Sequence, residues 1–243
     1  MKIRLKRRYN RMNSFNKNIF YDFVKGKTSR PSPLTVLMLN QYRNFLLEKY
    51  NLDYHSSQHE TVDIGLNVLI VQRMQRRLIQ NVTLLASMLQ NMTFPEENLV
   101  HVRVIDGEIY KNKTRQMEHL SWASVILSSH GANCVDNMFA RNGTVFIEIE
   151  SSDHREEFYN FQSYYFYQPM YTFRTSEKGK DVDRNIDWTK FEQFFKLAVC
   201  HERKNLNADN LVFPHQSRFC EWVGRTFGQM KTPLTDLHYN ILS

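Results

Sequence analysis

The stretch that most constrains this chain is Ser121 to Glu150, SWASVILSSHGANCVDNMFARNGTVFIEIE. It reads as strand, sharp turn, short helix, strand. Ser124 to Leu127 is a short apolar run with β-branched residues, as in a strand covered on both faces. Ser128, Ser129, His130 and Gly131 break it, because small residues let the backbone turn and let a ligand approach. Ala132 to Ala140 is expected to be helical, and Asn142-Gly143 turns the chain into a second strand, Thr144 to Ile149. A strand whose turn feeds a helix N-terminus is where open α/β sheets hold phosphorylated ligands. Unpaired amides and the positive end of the helix dipole both face the anion there. The alternative reading of the same residues has His130 capping the turn and Gly131 only permitting it.

The segment resembles the His-Gly-Ala-Gly region of the family 61 glycosyltransferases, which include the EGF-domain and dystroglycan O-GlcNAc transferases and plant xylan side-chain transferases. His130, Gly131, Ala132, Gly143 and Glu148 follow the family pattern. Asn133 replaces its second glycine, and Val135-Asp136 replaces a Thr-Asn pair. An acid at Asp136 opposes a nearby phosphate.

A second constellation lies upstream. The run Leu66 to Val71 (LNVLIV) reads as a strand that leads into Gln72-Arg73-Met74-Gln75-Arg76-Arg77-Leu78-Ile79-Gln80-Asn81. Arginines past the C-terminal end of a parallel strand sit where such sheets bind ligands, and guanidinium matches phosphate oxygens with paired N–H donors. A solvated basic turn would have the same composition. The spacing Arg73, Arg77, Ile79, Asn81 also resembles the family's Arg…Arg…Ile-x-Asn segment. By that resemblance Arg73 and Arg77 approach the donor diphosphate and Asn81 holds the loop. The aromatic run FYNFQSYYFYQPMYTF matches the family's aromatic-rich segment and, on its own chemistry, reads as core.

Elsewhere the pattern alternates. Helical spacing marks Leu34–Tyr50, Ile79–Leu89 with Leu84, Leu85, Met88 and Leu89 facing inward, Lys113–Ala123, His154–Phe166 and Trp188–Arg203. Strand patterns mark Leu99–Ile105 and Met170–Phe173. Strands separated by helices predict an α/β fold with a parallel sheet. Residues 1–18 read as a basic, flexible arm, 19–203 as a Rossmann-like domain, and 204–243 as a tail packed on it.

The 243 residues carry a net charge of +7, and 42% are hydrophobic, enough for a globular core. The basic balance fits an anionic ligand. No stacking or base-reading motif points to nucleic acid as a partner. Of the three cysteines, Cys134 is expected in the core, and Cys200 and Cys220 could pair in an oxidising compartment. No Cys/His cluster has zinc spacing. The N-terminus is basic without an apolar core, unlike a signal peptide. Sequons occur at Asn81, Asn91, Asn112 and Asn142.

The resemblance implies the donor-binding C-terminal half of a GT-B type enzyme. Such an enzyme moves GlcNAc or a pentose, with inversion, from a UDP-sugar donor to a hydroxyl of a protein or glycan acceptor. It implies no metal and no other cofactor. Donor contacts fall to Arg73, Arg77, Asn81, His130, Gly131, Ala132, Asn133 and Glu148, with Glu148 on the ribose hydroxyls or, as a plain strand residue, facing solvent. No general base stands out, so a truncated remnant that binds nucleotide or glycan without turnover is the other expectation. The resemblance also implies the Golgi or ER lumen, with any membrane tie supplied by an anchor outside this chain.

Overall fold

The computed structural model describes residues 33–50, 66–92, 99–106, 112–140, 144–153, 168 and 170–201. The expected helix His154–Phe166, the Asn142-Gly143 turn, the N-terminal arm, the C-terminal tail and Cys220 lie outside the described residues. The elements in chain order are α1 (Pro33–Lys49), β1 (Leu66–Val71), α2 (Val82–Gln90), β2 (Val100–Ile105) and α3 (Lys113–Trp122). They continue with β3 (Val125–Ser129), a 3-10 helix (Ala132–Phe139), β4 (Val145–Glu150), β5 (Met170–Arg174) and α4 (Trp188–His201).

The five strands form one parallel sheet in the order β2-β1-β3-β4-β5. The chain runs from β1 outward to β2, then returns to the other side of β1 for β3. That reversal makes the C-terminal ends of β1 and β3 the sheet's switch point, the place where such sheets bind ligands.

Period-two alternation sorts the sheet's two faces. Val68, Ile70, Val125, Leu127, Val145, Ile147 and Ile149 pack with Leu85 and Leu89 of α2 and with Phe191 and Phe195 of α4. Leu69, Val71, Ile126 and Phe146 pack with Leu120, Cys134 and Ala140 on the other face. The buried run LNVLIV of β1 is apolar on both faces because both are covered. Val68, Leu69 and Ile70 are fully buried, and each such side chain contributes roughly 1.5–3 kcal/mol relative to exposure.

The helices follow simple local rules. The Asn112 side chain accepts from the Arg115 amide at 3.1 Å and caps α3. On α4, Phe191, Phe195, Ala198 and Val199 recur at helical spacing and are buried. Phe173 of β5 meets Phe191 edge-on, with ring centroids 5.0 Å apart. On α2, burial falls on Leu85 and Leu89, four residues apart. Leu84, expected to face inward, is 57% exposed because it sits a third of a turn off that axis.

The central strand is longer than its composition suggests. Ser128 and Ser129 stay in the ladder, paired with Glu148 and Ile149, so the break falls at His130. The segment Ala132–Phe139 is a 3-10 helix.

Candidate functional site

Two loops meet at the sheet's switch point. After β1 the chain enters the arginine loop. The Gln72 side chain bridges it, donating to the Ile79 carbonyl at 3.1 Å and accepting from the Ile79 amide at 3.2 Å. Two of its residues take left-handed backbone angles, Arg77 at φ 58° and Asn81 at φ 52°. For a residue other than glycine each costs on the order of 1 kcal/mol. After β3 the chain makes the His130–Asn133 turn.

The two loops meet at one atom. Arg73 Nη1 donates to the His130 carbonyl at 2.8 Å, and Arg77 Nη1 donates to the same oxygen at 2.9 Å. Both arginines are therefore on one side of the sheet, against the turn. Their settings differ. Arg73 is half-buried, whereas Arg77 is 5% exposed. Arg77 also gives Nε and Nη2 to Asp181 Oδ1 at 3.0 and 2.8 Å.

Gly131 is required by the approach of Arg73. A Cβ on Gly131 would overlap Arg73 Nη1 and lie 2.8 Å from Arg73 Cζ. The glycine thus leaves room for the Arg73 guanidinium against the turn. Ala132 opens the 3-10 helix, and the first amides of a helix have no partner inside it. Asn133, where the family pattern has glycine, donates from Nδ2 to Ser128 Oγ and ties the turn to β3. Asp136 turns away to α3, where Lys113 lies 3.3 Å from it and Gln116 Nε2 donates to it at 2.7 Å. The acid that opposed an anion in the sequence is thus held on a neighbouring helix.

Beneath the turn lies a buried charge cluster. Phe146, Glu148 and Glu150 alternate onto the face that carries Cys134, so both carboxylates point at His130. His130 Nδ1 is 2.6 Å from Glu148 Oε1 and 3.3 Å from Glu150 Oε1. The second contact is one of charge and not of alignment, since Glu150 Oε1 has no hydrogen-bond partner. Burial disfavours the imidazolium, but the hydrogen bond to Glu148 and the charges of Glu148 and Glu150 outweigh it and raise the pKa from 6.5 to about 9. The ring is therefore charged at neutral pH. These three residues place ligand-type atoms within 4.8 Å of one another.

Glu148 does not face solvent: it is 1% exposed and is engaged with His130. Its carboxylate meets the His130 ring. Asn81 is exposed and makes no side-chain bond to cap α2. The loop is held instead by residues that the sequence reading passed over. Leu78 and Gln80 exchange backbone bonds with Arg184, and Asp181 grips Arg77. The acidic DVDR run at 181–184 was the available signal. Cys134 is buried, as expected.

A parallel sheet in this order, with a cationic loop and a small-residue turn at its switch point, defines a Rossmann-like α/β domain. The family model for glycosyltransferase 61 matches residues 23–147, more than half of the chain. The chain belongs to that family, and glycosyl transfer from a nucleotide-sugar donor to an acceptor is the activity the family carries. No curated protein matches the chain.

Proposed function

We propose that this glycosyltransferase holds the diphosphate of a UDP-sugar against Arg73 and the amides of Gly131, Ala132 and Asn133. It passes GlcNAc or a pentose to a hydroxyl of a protein or glycan acceptor, with inversion. The observation that carries this reading is the convergence of the two arginines on the His130 carbonyl at the sheet's switch point. As the sugar–phosphate bond breaks, negative charge grows on the leaving diphosphate. Donors already fixed in place stabilise that charge without reorganising. Arg73 lies over Gly131 and supplies positive charge at the turn. Arg77 braces the turn from behind. The His130 ring, paired with Glu148 and Glu150, anchors the turn from beneath. Guanidinium and amides do the work of a cation, so the reading includes no metal. Work in a secretory compartment fits the sequons. No helix of the described residues is long and apolar enough to cross a membrane.

One observation favours a second reading, a chain that binds donor without turnover. Among the described residues, the carboxylates in or beside the turn are engaged: Glu148 and Glu150 with His130, Asp136 with Lys113, and Asp181 with Arg77. None of these is placed as the base that would deprotonate an acceptor. The full chain incubated with UDP-GlcNAc or a UDP-pentose separates the readings. UDP release with one donor supports the transferase, and donor binding without release selects the second reading. Absence of any UDP or UDP-sugar binding overturns both.

A further inference from the structure

The loop between β5 and α4 lies beyond the family-matched residues, yet it locks the arginine loop. Gly179, at φ 104°, donates its amide to both oxygens of Asp153 at 2.9 and 3.0 Å. Arg184 is fully buried and donates to the carbonyls of Gly179 and Lys180 at 3.3 and 2.9 Å, closing the loop on itself. This closed loop then meets residues 77–80. The Leu78 amide donates to Asp183 Oδ1 at 2.9 Å, the Arg184 amide to the Leu78 carbonyl at 2.7 Å, and the Gln80 amide to the Arg184 carbonyl at 2.8 Å. Asp181 binds Arg77 through two nitrogens and Arg76 through Nη1 at 3.0 Å.

Arg77 needs such a lock. Its left-handed backbone is disfavoured, and its side chain must reach the His130 carbonyl from a buried position. The Asp181 carboxylate fixes Nε and Nη2, which leaves Nη1 aimed at the turn. An exposed ion pair alone would contribute little. What sets Asp181 apart is the line of contacts from its carboxylate through Arg77 to His130.

We infer that Asp181 is a positioning residue for the donor site. It acts through Arg77 on the His130–Asn133 turn and touches no substrate. What the turn binds rests on the proposed function, while the chain of contacts from Asp181 to His130 does not.

The test uses the full chain and Asp181→Ala, Asp181→Glu, Arg77→Ala and the Asp181→Ala/Arg77→Ala double variant. Amide hydrogen exchange is followed without ligand. Asp181→Ala speeds exchange about tenfold at 72–81 and at 130–134, while β1 stays protected. Asp181→Glu recovers part of the protection, and the double variant exchanges no faster than Arg77→Ala. Faster exchange confined to 175–187, or effects that add in the double variant, would overturn the inference. Calorimetry with UDP gives the second readout. Asp181→Ala weakens binding by about fivefold in the parent and by nothing further in Arg77→Ala. If the parent chain binds no UDP, the donor reading fails, and Asp181 stands or falls on the exchange data.

Discussion

The buried His130 makes folding stability depend on pH with a defined sign. Its pKa rises from 6.5 in the unfolded chain to about 9 in the fold. A group whose folded pKa is raised contributes its full stability below the unfolded value. That contribution is lost as pH climbs from 6.5 through about 9. At about 1.4 kcal/mol per pH unit the difference is on the order of 3 kcal/mol, and screening at the open side of the turn brings it nearer 2. The measurement is urea unfolding of the parent and of His130→Gln between pH 6 and 9, read by tryptophan fluorescence. With a slope of about 1–3 kcal/mol per molar urea, the parent's midpoint falls by roughly 1 M more than the variant's over that range. Cys134, whose thiol burial pushes well above its ordinary value, is present in both proteins and cancels. A difference between parent and variant that is flat with pH, or that grows toward pH 9, would refute the charged-ring account.

Other substitutions test other parts of the site and fold. Gly131→Ala puts a Cβ on Arg73 Nη1 and drives the guanidinium off the His130 carbonyl. UDP affinity should fall about as far as in Arg73→Ala, while urea unfolding shows a loss of only about 1–2 kcal/mol. Gln168 donates to the Asn137 and Ala140 carbonyls at 2.7 and 3.0 Å, pinning the end of the 3-10 helix. Gln168→Ala should cost about 1–3 kcal/mol by urea unfolding, because the Ala140 carbonyl loses this donor while the Asn137 carbonyl keeps only the Ala140 amide. Leu127, fully buried at the sheet's centre, should cost about 3–4 kcal/mol on change to alanine.

The strands were legible because their burial leaves a mark in composition. LNVLIV and VFIEIE both lie within a residue or so of where the pattern put them. The strand over Ser124–Leu127 was read short at its C-terminal end, since Ser128 and Ser129 resemble a break. Their small side chains fit a ladder crowded by the turn above it. The helical type of Ala132–Phe139 left no periodic signal in eight residues. Glu148 shows the limit most clearly. A carboxylate in a strand looks solvated until its partner, His130, is brought beside it by strand pairing. Asp181 and Arg77 are separated by 104 residues, and no local pattern joins them. The family-like motifs fall on the two loops that meet at the His130 carbonyl, but they do not distinguish Arg73, set over Gly131, from Arg77, buried and paired with Asp181.

The central claim is that Arg73 and the glycine turn receive a diphosphate. Titration calorimetry of UDP into the parent chain and into Arg73→Ala tests it directly. The account predicts saturable binding to the parent and a loss of about tenfold or more in the variant, as expected for a charge-assisted contact to phosphate. Equal affinity in the two proteins would contradict it.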